Sequence, residues 1–328
     1  MTMLKIKPLA AIAAALLAGV ALGAGRANPT PDALGYTNPV IDSNFPDPSV
    51  LADGGVYYAY ATNSGKTMPV EVSGDLIHWT PLPDAMPKLP DWARRGRTWA
   101  PNVRAYESGS RYVAYFCARD AASGQQAVGV ASGPTPDGPF TAPPDAQPLV
   151  TQSDLGGAID PSCFTDGDGK RYLVWKNDGN SRRLDTWLWI QPLAPDGLSL
   201  VGQPTRLIKQ DQPWEGPLIE APTLWKHGGR YYLFYSANVF SGCSYAVGYA
   251  VSEHLLGPYV KPQATPWLSS NSGMCGPGGE DIVQDDHGQD WMAFHVWAHG
   301  PRSYRAMDIA PLTWPRGVPK LLLPPQRQ

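Results

Sequence analysis

Five times along the chain a glycine turn leads into an aromatic run, at a nearly constant step. The runs are Gly54-Gly55-Val56-Tyr57-Tyr58-Ala59-Tyr60, Gly109-Ser110-Arg111-Tyr112-Val113-Ala114-Tyr115, Gly169-Lys170-Arg171-Tyr172-Leu173-Val174-Trp175, Gly228-Gly229-Arg230-Tyr231-Tyr232-Leu233-Phe234 and Gly288-Gln289-Asp290-Trp291-Met292-Ala293-Phe294. From Tyr57 through Tyr112, Tyr172 and Tyr231 to Trp291 the steps are 55, 60, 59 and 60 residues. A fixed period of this size marks a repeat architecture. Each run has the length and composition of a β-strand. Being apolar on both faces, it must lie between neighbours rather than face water.

A second strand-like segment precedes each turn: Pro48-Ser49-Val50-Leu51, Pro101-Asn102-Val103-Arg104, Pro161-Ser162-Cys163-Phe164, Pro222-Thr223-Leu224-Trp225 and, in fifth place, Gly279-Glu280-Asp281-Ile282-Val283. Third strands are visible in two repeats, Val128–Ser132 and Val247–Ser252, each leading to a Gly-Pro-aromatic turn. No stretch has a helical period. Units of three or four strands repeated five times describe an all-β fold, a five-bladed β-propeller, over residues 36–325. The 34 Gly and 35 Pro supply its turns, and 17% charged residues are too few for a coiled coil or a charged disordered chain. A formal charge of −3 lacks the basic face that a nucleic-acid partner requires. Twelve Trp and fifteen Tyr suit sugar-binding walls as well as packed cores.

Residues 1–27 read as a secretory signal. Lys5 and Lys7 precede an apolar stretch of 14 residues, Leu9 to Leu22, and small residues follow, with cleavage after Gly23 or Ala27. The stretch is short for a membrane span. The expectation is a soluble protein, secreted or periplasmic, with no membrane partner. Four cysteines in such a compartment allow up to two disulfides in three connectivities. Cys243 and Cys275, in Gly/Ser-rich loop-like stretches, are the better-placed pair. Cys117 and Cys163 sit in apolar strand-like runs and suit buried thiols.

In a propeller the first strand of each blade lines the central channel, so equivalent positions converge on one axis. Asp47-Pro48 and Asp160-Pro161 align directly, and Glu220 comes one residue earlier in Glu220-Ala221-Pro222. Blade 2 has Trp99-Ala100-Pro101 instead, an aromatic wall. A single Asp-Pro is ordinarily a turn or cap. Three acids in nearly one register of a charge-poor repeat call for another explanation. Clustered carboxyls repel and separate in pKa, which suits a pair acting as proton donor and base in glycoside hydrolysis.

Asn38-Pro39-Val40-Ile41-Asp42, Phe45-Pro46-Asp47-Pro48-Ser49, Trp99-Ala100-Pro101, Ile159-Asp160-Pro161-Ser162 and Ile219-Glu220-Ala221-Pro222 together resemble the motif set of glycoside hydrolase family 43, in order and spacing. The resemblance implies a five-bladed propeller and an inverting hydrolase of α-L-arabinofuranosyl linkages in plant cell-wall arabinan or arabinoxylan. A β-xylosidase on the same scaffold and a non-catalytic carbohydrate-binding propeller are the alternatives. It also implies Asp47 as general base, Glu220 as general acid and Asp160 as the residue tuning and orienting that acid, with an oligo- or polysaccharide as partner. Trp99 and Phe116 would form the sugar-binding wall, blade packing being the alternative for Phe116. Arg305 would enter the sugar pocket, or else make an interblade ion pair.

Phe294-His295-Val296-Trp297 resembles the family strand whose histidine reaches a central cation, usually calcium. His295 is thus the candidate metal ligand, and a hydrogen-bonded core histidine is the other reading. Many members carry His after Gly-Pro-Gly, where this chain has Gly279. A fructan hydrolase on the same architecture would need an Asn-Asp-Pro-Asn run that is missing here. The chain also has no Gly-x-Ser-x-Gly elbow, no complete P-loop and no zinc spacing of its cysteines.

Overall fold

The aromatic runs become the second strands of five antiparallel sheets in a computed structural model that describes residues 34–106 and 109–327. The signal-like residues 1–27 lie outside the described residues. Blade 1 consists of Ser49–Asp53, Val56–Tyr60, Val70–Ser73 and Thr80–Pro81. Blade 2 is Ala93–Tyr106, Arg111–Asp120 and Gln126–Gly133. Blade 3 is Ala158–Thr165, Arg171–Asn177, Trp187–Pro192 and Thr205–Lys209. Blade 4 is Ile219–His227, Arg230–Ala237 and Ala246–Ser252. Blade 5 is Gly278–Gln284, Asp290–Ala298, Tyr304–Thr313 and Lys320–Leu321. Within each sheet the strands pair in chain order. The five first strands touch one another in a closed ring, blade 1 against blades 2 and 5. The fold is the five-bladed propeller that the repeat predicts, and the third strands that the repeat left unread are present in blades 1, 3 and 5.

Each gap between neighbouring blades holds its own apolar cluster. Leu51, Tyr60 and Val70 of blade 1 meet Val103, Tyr112 and Phe116 of blade 2. Tyr106, Val113 and Tyr115 of blade 2 meet Leu173, Trp175 and Trp189 of blade 3. The three remaining gaps repeat the scheme. This explains second strands that are apolar on both faces, since each face packs on a different neighbour. Around the channel the first strands are tied by side chains. Ser49 Oγ donates to the Pro101 carbonyl at 2.6 Å, the Cys163 amide donates to Asn102 Oδ1 at 3.0 Å, and Thr223 Oγ1 donates to the Glu280 carbonyl at 2.8 Å. Asp281 Oδ2 accepts the Val50 amide at 3.0 Å and closes the circle.

A second closure lies at the rim, where the segment before blade 1 adds to blade 5. Ile41 pairs with Met307, and Asn38 with Gln326. Asn38 is fully buried; its Nδ2 donates to the Ile309 carbonyl at 3.0 Å and its Oδ1 accepts the Ile309 amide at 3.1 Å. Asn38→Ala leaves that buried amide without a partner, a loss of about 1–3 kcal/mol. The expected result is a lower urea midpoint at unchanged slope; an unchanged midpoint would show that the ring does not depend on this clip.

Candidate active site

At one end of the channel the first strands of blades 2 to 5 bulge, and Asp47 holds the same place just ahead of the first strand of blade 1. The residues at these places have left-handed backbones: Asp47 (φ 53°), Ala100 (φ 41°), Asp160 (φ 54°), Ala221 (φ 51°) and Gly279 (φ 60°). The strand register shifts there in blades 2 to 5. A bulge re-aims side chains, and here it turns those at and just before it toward the axis. One cavity of about 400 Å³ results, lined by Asp47, Trp99, Asp160, Lys176, Glu220 and Arg305 among others. The structure thus brings together Asp47, Asp160, Glu220, Trp99 and Arg305. The one-residue offset of Glu220 is real: Ala221 occupies the bulge position that Asp47 and Asp160 hold in their blades.

Asp47 has two donors and a histidine close by. Arg305 Nη1 reaches its Oδ1 at 2.8 Å, Thr62 Oγ1 donates to its Oδ2 at 2.6 Å, and His295 Nδ1 lies 3.3 Å from Oδ1. Burial pushes the carboxyl up, but the Arg305 guanidinium, with the Thr62 hydroxyl, outweighs it and holds Asp47 well below the usual carboxylate range. Arg305 therefore satisfies both readings of it, since it lines the cavity and also pairs blade 5 with blade 1.

Glu220 has a different setting. Its Oε2 is 2.9 Å from Lys176 Nζ, and its Oε1 accepts the Tyr245 hydroxyl at 2.8 Å. Lys176 is completely buried and also bonds Asn180 Oδ1 at 2.9 Å. Burial alone would lower it, but Glu220, Asp178 and Asp160 keep it charged. Asp160 Oδ2 accepts the Ala221 amide at 3.0 Å, which ties it to the backbone beside Glu220. Burial first, then the Glu220 carboxylate, push Asp160 up to about 8. A fourth acid, Glu280, is buried on the cavity lining and pushed up to about 8 by burial; Ser236 Oγ donates to its Oε2 at 2.6 Å. The arrangement sets an ionised carboxylate on blade 1 against two proton-retaining acids, Asp160 on blade 3 and Glu280 on blade 5.

Phe116 is not in this wall. It is fully buried and stacks on Trp92, centroids 6.0 Å apart. It pairs across the sheet with Gly129, where a Cβ would fall 2.6 Å from both rings. Blade 4 repeats the device with Tyr235, Trp214 and Gly248. Phe116 and Tyr235 stand the same four residues beyond their repeat markers, so both rings fill an interblade gap. In that register blades 3 and 5 carry Lys176 and His295. The repeat comparison that isolated the acids held this signal for Lys176. Thr62 and Tyr245 had none.

His295 is completely buried, and its Nδ1 accepts the Asp47 amide at 3.2 Å. Burial, then Arg305, lower its pKa, so the ring is neutral. In this tautomer the hydrogen sits on Nε2, which has no hydrogen-bond partner. A cation at Nε2 needs the other tautomer, with Nδ1–H turned to Asp47 Oδ1. Calcium takes six to eight oxygens, and among the described residues no three His, Cys, Asp or Glu side chains converge on one point. A cation there would have His295 as its one such side-chain ligand, and in this structure His295 is the acceptor under Asp47. It also explains Gly279, where a Cβ would lie 2.6 Å from His295 Nδ1 and 3.0 Å from Asp47 Oδ1. Cys243 and Cys275 form the disulfide, and Cys117 and Cys163 are buried thiols.

The model of the glycosyl hydrolases family 43 matches residues 36–319. An extracellular endo-alpha-(1->5)-L-arabinanase of Bacillus subtilis is 27% identical over 297 residues, covering 83% of this chain and 86% of that protein. A xylosidase/arabinosidase of Butyrivibrio fibrisolvens is 26% identical over 274 residues, 78% of this chain, which spans only 50% of that relative's length. Among solved structures, a thermostable family-43 glycoside hydrolase superposes with a TM-score of 0.81 at 30% identity, covering 89% of this chain and 97% of that one. With a propeller whose channel mouth gathers the motif acids, and a family match over nearly all of the described residues, this chain belongs to glycoside hydrolase family 43.

Proposed function

We propose that the protein is an exported, inverting hydrolase of α-L-arabinofuranosyl linkages in plant cell-wall arabinan or arabinoxylan. The observation that carries the hydrolytic reading is the electrostatic contrast inside one cavity, with Asp47 held ionised beside Arg305 and Asp160 retaining a proton beside Glu220. Asp47 accepts a proton from water on one face of the sugar. Glu220 gives a proton to the glycosidic oxygen as the bond lengthens. Asp160 keeps the acid side of the cavity at the right protonation level, because two carboxyls around one ammonium retain a proton between them. Trp99 offers a sugar ring a flat wall, and Arg305 fixes Asp47 while standing within reach of sugar hydroxyls. Support for arabinose comes from the arabinanase name of the Bacillus subtilis relative, and support for export from that protein's extracellular description and from the disulfide.

The deciding experiment offers aryl α-L-arabinofuranosides, aryl β-xylosides and linear arabinan, with the first-formed anomer read by NMR. Arabinose released with inverted configuration is expected. Xylose alone would move the substrate to β-xylosides, and retained configuration would remove Asp47 from the role of base. Release from none of them would leave a sugar-binding propeller. Asp47→Ala should lower kcat by about a thousandfold or more with the melting curve kept; a variant of near wild-type rate refutes the assignment.

The pH profile checks the acid side. Glu220 can give a proton only while the acids around Lys176 retain one, so kcat/KM falls as pH rises through the pKa of Asp160, about 8. In Asp160→Asn, which has nothing to titrate, that limb should leave its position and kcat should drop. A limb unmoved in the variant would mean that another group sets it.

A further inference from the structure

The cavity wall includes an aromatic that the repeat does not single out. Phe240 stands on the loop after Arg230–Ala237, 45% exposed, and lines the same cavity as Asp47 and Glu220; its neighbour Val239 does so too, 41% exposed. The Arg305 guanidinium lies 4.8 Å from the ring centroid, while its Nη1 holds Asp47. The loop is pinned to blade 5 at several points. Trp297 Nε1 donates to the Phe240 carbonyl at 2.8 Å, and the Trp297 amide to the Cys275 carbonyl at 2.9 Å. The Cys243–Cys275 disulfide follows directly. Ser270 Oγ donates to the Cys243 carbonyl at 2.6 Å and accepts the Gly276 amide at 2.8 Å. Gly276 packs so closely that a Cβ there would fall 2.7 Å from the Gly242 carbonyl oxygen.

A rigid, half-exposed ring at the edge of a cavity that takes carbohydrate has one evident use. The C–H face of a sugar stacks on it without ordering a flexible loop first. We propose that Phe240, with Val239, is a stacking platform for a further sugar ring of the substrate chain, outside the position being cleaved, and that the Cys243–Cys275 disulfide holds it in place. The proposal rests on the glycosidase reading above and names where a chain longer than one sugar is gripped.

The test compares a trisaccharide that the wild type cleaves with the aryl glycoside of a single sugar. Phe240→Ala should lower kcat/KM on the trisaccharide about tenfold, mainly through KM, relative to its effect on the aryl glycoside. Phe240→Trp should restore it. Cys243→Ser/Cys275→Ser, which leaves the ring but frees the loop, should shift the same ratio in the same direction. An equal loss on both substrates would show that Phe240 acts only through Arg305, and unchanged kinetics on both would show that it binds nothing; either result overturns the platform. If the wild type cleaves no saccharide, it is the hydrolase reading that fails. If it does and the variants match it, only the platform fails.

Discussion

A left-handed backbone position stands at the mouth of every blade, and the site is built on it. Four of the five bulge residues, Asp47, Ala100, Asp160 and Ala221, are not glycine yet have left-handed backbones, at a cost of about 1–2 kcal/mol each. The amides at these positions are received by the preceding blade. That of Asp47 goes to His295 Nδ1, that of Ala100 to Thr62 Oγ1, that of Ala221 to Asp160 Oδ2 and that of Gly279 to Ser236 Oγ. The Asp160 amide meets Cys117 of blade 2. Each blade therefore fixes the bulge of the next, and the same bulges aim the acids inward. Closure of the ring by Asp281 and Asn38 is what lets this chain of support run full circle.

The electrostatics follow from that crowding. Six carboxyls, Asp47, Asp160, Asp178, Glu220, Glu280 and Asp281, line one cavity with two cations, Lys176 and Arg305. Arg305 neutralises Asp47 and Lys176 faces Glu220, while burial leaves Asp160 and Glu280 protonated at neutral pH. Buried charge in excess of its partners is costly, so the surplus acids keep their protons. The cavity thereby holds a base and a proton supply at the same pH, without either taking up the other's state. The same reasoning assigns His295 to Asp47: a neutral ring beneath the carboxylate accepts its amide.

The acids were legible because aspartate and glutamate at the start of an apolar strand break the repeat, and the repeat itself says that such positions converge. The disulfide was legible from where its cysteines sit in turn-rich stretches. Phe116 stayed open between wall and packing because an aromatic four residues beyond the marker can face either the channel or the neighbouring blade. Pairing with Gly129 and stacking on Trp92 decide for the blade. Thr62 and Tyr245 carry no pattern of their own. They belong to the site because one strand ends, and one loop returns, beside an acid at the mouth of the same blade, Asp47 for Thr62 and Glu220 for Tyr245.

Periodicity is a property of the chain, so blade number and the register of the three motif acids follow from it alone. Two faces of every second strand had to be covered by neighbours, because an apolar strand cannot leave either face in water. What the chain could not specify locally is the partner of each polar atom. That Lys176 meets Glu220, that Arg305 holds Asp47 while lying over Phe240, and that Gly279 makes room for Asp47 are all contacts between blades. They exist only when the ring closes, since the residues involved are separated by tens to hundreds of positions along the chain and by a few ångströms across the channel.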